Sequence, residues 1–282
     1  MSVILAHNNY GKSKVRMVKV ARHGDRHDLQ EINVDIACEG DFETAHTLGD
    51  NSKVLPTDTM KNTVYALAKQ VSDIEEIEAF ALRLKDHFLN HNPQLSRITI
   101  EIDESMWTRI LVGGKSHHHS FTKGGDEKHT TKVIATRDMV TIESGISDLL
   151  ILKTTGSGFS GFIKDQYTTL PETTDRIFAT VVKASWLYAK PEVATRTTWQ
   201  GVRQLLLETF ALHNSFSVQQ TLYAMGENIL ENFADISEIS LSLPNKHCLL
   251  VNLSAFGMEN NNEIFVPTDE PHGLIEARLS RD

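Results

Sequence analysis

The chain runs twice through the same order of periodicities, and few folds accommodate that order. Residues 32–38, INVDIAC, place Ile32, Val34, Ile36 and Cys38 on one face of a strand. Residues 14–22 read as the strand before it, with alternation slipping at Met17–Val18. The period then becomes helical. Met60, Thr63, Val64, Leu67 and Ala68 follow a Thr57-Asp58 start, and Ser72 with Glu75 forms a capping-box signature for a second helix. That helix carries the stripe Ile74, Ile77, Ala81, Leu84 and Phe88, and Asn92-Pro93 stops it. Alternation returns in RITIEID at 97–103, followed by a Gly113-Gly114 turn and more strand-like sequence.

The second half repeats the sequence of elements. VVKASWLY at 181–188 reads as a strand. Trp199, Val202, Leu206 and Phe210 share a helix face, as do Val218, Leu222, Met225, Ile229 and Phe233. EISLSL, HCLLVNL and GLIEARL are strand-like again. Neither half alternates strand and helix as a parallel sheet requires, so the pattern predicts an antiparallel α+β protein of two tandem ββααββ units.

Bulk properties narrow the partners. The 282 residues carry 28 Lys plus Arg against 37 Asp plus Glu, a net charge of −9, with no dense basic run to attract nucleic acid. At 40% hydrophobic and 23% charged, the composition is that of an ordinary globular protein with no membrane span. The apolar part of MSVILAHNNY is too short for a signal peptide. Cys38 and Cys248, the only cysteines, lie in strand patterns and are expected as buried reduced thiols.

Residues 154–176, TTGSGFSGFIKDQYTTLPETTDR, have no sustained period. A loop of that length in a compact domain is functional or disordered, and Phe159, Phe162 and Tyr167 suggest buried aromatics and function. The loop ends at Arg176. An isolated arginine is most often a solvated ion-pair partner, yet its planar fork suits a flat ligand with adjacent oxygen and nitrogen acceptors. Gln219 at a helix start adds a donor and an acceptor, and Phe159 offers a ring face. SLPNKHCLLVNL at 242–253 puts Asn245, Lys246 and His247 at a strand mouth, where polar groups gain little by packing but are held rigidly. In SHHHSF, His117 and His119 share a strand side as metal ligands would, without a supporting carboxylate or cysteine nearby; a polar strand face at a surface or interface is the more ordinary explanation. No dinucleotide fingerprint, P-loop or nucleophile elbow is present.

Six ordered blocks are similar to urate oxidase (uricase): YGK at 10–12, LPTDTMKNTVY at 55–65, WTR with HHHSF at 107–121, GFIKDQYTTLPETTDR at 161–176, SVQQTLY at 217–223 and SLPNKH at 242–247. They extend from about residue 8 to 279. The resemblance implies two tandem tunnelling-fold units, here 1–138 and 139–282. It also implies a homotetramer with active sites at subunit interfaces, and oxidation of urate by O2 and water to 5-hydroxyisourate and H2O2 with no metal or organic cofactor. It assigns Arg176 and Gln219 to a clamp on the purine and Phe159 to its face. Asp58 and Val218 become backbone donors to the ring edge, and Lys12, Thr57 and His247 a proton relay. Asn245 holds O2 or water above the ring, and Lys246 should face away. Two other readings remain: a zinc-dependent pterin enzyme of the same fold using His117 and His119, and a purine-binding protein without turnover. The C-terminal ARLSRD lacks a peroxisomal S-K-L address, so a cytoplasmic, bacterial-type protein is expected.

Overall fold

A computed structural model describes residues 3–190 and 195–281. By the density of its contacts the chain divides into two compact units. The first comprises residues 1–145 and 187–198, the second 146–186 and 199–282.

In the first unit, β1 (Tyr10–His23), β2 (Arg26–Gly40), β3 (Leu95–Val112) and β4 (Lys115–Ala135) form consecutive antiparallel pairs, with the start of β5 (Val140–Lys153) beyond β4. A five-residue turn of helix, α1 (Glu43–Thr47), follows β2 and had no periodic signature. Helices α2 (Thr57–Gln70) and α3 (Ile77–His91) lie between β2 and β3 in the chain, as expected. Their buried residues, including Met60, Val64, Phe80, Leu84 and Phe88, share a core with Val34, Ile36, Ile98, Ile100 and Ile102 of the sheet.

Two local expectations are corrected. The capping box at Ser72 and Glu75 is absent: α3 starts at Ile77 with Glu76 at its cap position and no side-chain cap, leaving Ile74 outside the helix. Glu75 instead forms a two-pronged ion pair with Arg83, whose charge-assisted bonds outcompete a reach back to the backbone. The slip in β1 falls not at Met17–Val18 but between Lys12 and Val15, where the register with β2 breaks.

In the second unit, the rest of β5 is followed in the sheet by β6 (Phe178–Tyr188), β7 (Ile236–Ser242) and β10 (Glu276–Ser280). Strand β8 (Asn245–Leu250) pairs with the start of β6 and with β9 (Phe265–Gly273). Helices α4 (Arg196–Leu212) and α5 (Val218–Asn232) bury Trp199, Val202, Leu206, Leu222, Met225 and Ile229, β6 buries Val182, Ala184 and Trp186, and Phe210 of α4 meets Phe178 of β6 at 5.1 Å. The segment 154–176 has no regular element beyond single bridges Ser157–Ser215 and Phe159–Thr173. Tyr167, expected to be buried there, is 80% exposed.

Candidate active site

The first unit holds Lys12, Thr57 and Asp58. Gly11 admits β1 to close contact with β2, since a Cβ there would stand 1.8 Å from the Ile36 carbonyl oxygen. This brings Tyr10 against Phe42, edge to face at 4.7 Å, and lets its hydroxyl accept the Leu55 N–H at 2.9 Å. Leu55 is thereby fixed beside β1, and the chain turns at Pro56 directly into α2. Pro56 suits that turn: it lacks an N–H, and its carbonyl accepts the Met60 N–H at 3.2 Å. Thr57 is half-buried at the first helical position. Asp58 follows it, exposed, bonded to Lys61 and to Asn62 at 3.0 Å. The Lys61 bond chiefly lowers the Asp58 carboxyl, and the charge of Lys12 adds slightly to the effect.

The second unit holds the others. A cavity of about 390 Å³ is lined by Phe159, Asp175, Arg176, Asn245, His247 and Cys248 among others. The Arg176 backbone N–H donates to the Ser157 carbonyl at 2.7 Å, and its guanidinium lies 5.5 Å over the Phe159 ring. Phe159 in turn stacks on Phe162 at 4.9 Å. Gly158 permits this fold-back, because a Cβ would approach the Thr173 and Thr174 carbonyl oxygens to 3.0 Å. No carboxylate pairs with the Arg176 guanidinium among the described residues. Asp175 is directed elsewhere, accepting the Thr155 hydroxyl and the Gly156 N–H at 3.0 Å. Burial pushes the Arg176 guanidinium down from its usual value, and it stays a cation at neutral pH.

Val218 and Gln219 open α5 but do not line that cavity. The same loop joins them to it: Gly158 N–H donates to the Ser215 carbonyl and Ser215 N–H to Gly156. Ser217 caps α5 by accepting the Gln220 N–H at 3.1 Å. The first-turn N–H groups of Val218, and of Asp58 in α2, have no intrahelical acceptor and carry the positive end of the helix dipole.

Asn245 sits opposite Thr180 of β6 and Gly273 of β9, while His247 is opposite Thr268. Residues 269–272 of β9 bulge between those pairs, so simple alternation does not govern Lys246. It also lines the cavity, and its ammonium binds Asp269 of the bulge. Cys38 is fully buried, its thiol pushed up to about 12 by burial, whereas Cys248 is only half-buried at the cavity wall.

His117 and His119 lie on β4 with ring centroids 4.6 Å apart. The His119 N–H donates to His117 Nδ1 at 3.3 Å, and no group of three or more His, Cys, Asp or Glu suited to a metal occurs among the described residues. Sequence reasoning missed Asp175 and Tyr10 as supports. Both stand inside quoted blocks, but what a side chain turns toward is not written in its spacing.

A family model described as Uricase matches residues 8–134 and 142–276. The uricase of Arthrobacter globiformis is 45% identical over 280 residues, covering 99% of this chain and 91% of the relative. That of Arabidopsis thaliana is 42% identical, covering 96% and 94%. The crystal structure of uricase from Arthrobacter globiformis has a TM-score of 0.95 at 44% identity, over 100% of this chain and 96% of that one. Urate oxidase from Bacillus sp. TB-90 shares the fold, with a TM-score of 0.86 at 24% identity over 97% and 100%.

Proposed function

The chain belongs to the uricase family and oxidises urate, and we propose that it does so with its own side chains, without metal or organic cofactor, at the residues described above. The observation that carries this reading is Arg176: a half-buried guanidinium with no carboxylate partner among the described residues, set over an aromatic ring in a cavity. Such a group is costly unless a ligand supplies the missing acceptors. Urate is flat, anionic at neutral pH and presents adjacent oxygen and nitrogen.

In this reading Arg176 and Gln219 grip the purine edge-on, Phe159 covers its face, and the Asp58 and Val218 N–H groups donate to its rim. Thr57 takes a proton from the bound anion and passes it to Lys12, which makes urate electron-rich enough to reduce O2. Asn245 holds O2, then water, above the ring. Electrons pass singly to O2, and His247 delivers protons to the peroxide and activates the water that adds to the ring. The sum is urate, O2 and water giving 5-hydroxyisourate and H2O2. The zinc reading has less support, since His117 Nδ1 is already taken by a backbone N–H.

The set from the first unit and the set from the second meet, in this proposal, at subunit interfaces of a homotetramer in the cytoplasm. Leu111, Val112, Leu150, Leu152 and Phe256 are large apolar side chains left exposed on the single chain, as an associating protein requires. The tandem-unit division at 138/139 belongs to the same reading.

Steady-state kinetics of Lys12→Met, Thr57→Ala and the double variant test the relay. Each single change should lower kcat by about 10²–10⁴-fold with KM little altered. The double should be scarcely worse than the poorer single, because groups that pass one proton act as a unit. Multiplicative losses would mean independent roles and end the relay.

A further inference from the structure

Strand β1 carries an irregularity that decides which way Lys12 faces. Lys12 is opposite Ile36 of β2, and the next pair is Val15 with Val34. Ser13 and Lys14 therefore stand against the single residue Asp35, which makes a β-bulge. Lys14 is in the left-handed region at φ 57°, unusual for a residue with a side chain. Its N–H donates to Asp35 Oδ1 at 2.7 Å, and Asn33 Nδ2 contacts the other carboxylate oxygen at 3.4 Å.

The consequence is geometric. Val15 and Ala21 are buried and point to the helix-covered face. Strict alternation back from Val15 would put Ser13 and Gly11 on that face and turn Lys12 and Tyr10 to the other one. The extra residue reverses this, because a one-residue slip exchanges the faces of a strand. Tyr10 thereby reaches Leu55, two residues before Thr57, and Lys12 shares the face of the strand that Tyr10 occupies.

We propose that the Ser13–Lys14 bulge, held by the Asp35 carboxylate on the Lys14 N–H, is the device that aims Lys12 at Thr57, with Asp35 a positioning residue for proton removal. The inference rests on the reading of Lys12 as proton acceptor. Lys14 contributes its backbone alone, and Asp35 touches neither substrate nor reacting atoms. Strained backbone beside functional groups persists where neighbouring contacts over-determine it, and Asp35 is that contact here.

Urate turnover by Lys12→Met, Asp35→Ala, Asp35→Asn and Asp35→Ala combined with Lys14→Gly separates the possibilities. Lys12→Met sets the scale of losing the ammonium. Asp35→Ala is expected to lower kcat about tenfold with KM within about twofold, because an N–H loses its acceptor in a conformation disfavoured for lysine. Asp35→Asn keeps an acceptor oxygen and should retain kcat. Glycine at position 14 adopts a positive φ freely, so the double variant should recover most of the loss. Wild-type kcat in Asp35→Ala beside a crippled Lys12→Met would overturn the positioning role and leave the relay standing. Wild-type kcat in Lys12→Met would remove the relay and the aiming role with it. If Asp35→Ala does not fold, the double variant decides: near-normal kcat supports the device, and kcat at the Lys12→Met level overturns it.

Discussion

Arg176 keeps its charge available because the carboxylate beside it in sequence, Asp175, is spent on Thr155 and Gly156. Read in one dimension, Asp-Arg is a self-neutralising pair, and a solvated ion pair is the ordinary expectation. The turn at 155–156 diverts the acid, and the fold-back through Ser157 and Gly158 sets the base over Phe159. Arg176→Lys keeps the charge but replaces a planar fork by a point donor, so alignment of a flat ligand is lost. One charge-assisted contact of this kind is worth about 1.5–3 kcal/mol, and misplacement of the ring adds to it. We therefore expect kcat/KM for urate to fall by about 10²-fold or more; an unchanged value in steady-state assays would remove Arg176 from the site. Arg176, Gln219 and Phe159 read in the sequence as a slot for a heterocycle; the structure sets Arg176 over Phe159, while Gln219 lies outside that cavity. That Lys12 belongs to the same chemistry was carried by the resemblance alone, since a lysine in a strand has no signature of its own.

Helices α4 and α5 follow their apolar stripes closely, because a two-layer fold leaves one face of each to water. Strands were harder to bound. RITIEID is only part of β3, whose further residues are half-exposed and break alternation, and the slip in β1 shows itself only when the partner strand is known. A buried polar cluster escaped notice for the same reason. His129 of β4 lies 2.8 Å from Glu78 of α3 and 3.4 Å from Glu104 of β3, with Arg196 2.5 Å from Glu104 and Ser144 Oγ donating to Glu78 at 2.5 Å. Burial alone would push the His129 imidazole down, but the two carboxylates outweigh it and raise it. Burial likewise opposes ionisation of Glu104, and His129 with Arg196 outweighs it and lowers the carboxyl. A raised histidine stabilises fully below its ordinary value of about 6.5, and this is lost as pH climbs through the folded value. The lowered Glu104 stabilises fully above about 4.5, and this is lost as pH falls through its folded value. Denaturation midpoints should decline as pH rises above about 6.5, and the decline should flatten in His129→Gln. An identical slope in the variant would show that the cluster does not titrate in that range.

Each of the two units carries part of the proposed machinery: proton acceptors in the first, the purine clamp, the O2 position and His247 in the second. The repeated ββααββ order was readable because it is a property of the whole chain, summed over many side chains. The assembly that would complete the site was not, because interfaces are as polar as other surfaces on average. A net charge of −9 gives urate, also anionic, no general attraction, so capture depends on the local Arg176 field. The central claim is that this chain oxidises urate by its own residues. Its most direct test is the urate ultraviolet band in aerated buffer, followed with O2 uptake and H2O2 release, on protein freed of metal by exhaustive chelation. The account predicts undiminished loss of urate, with O2 consumed and H2O2 formed in equimolar amounts. Activity abolished by chelation and restored by a divalent ion, or urate bound without loss of its band, would contradict it.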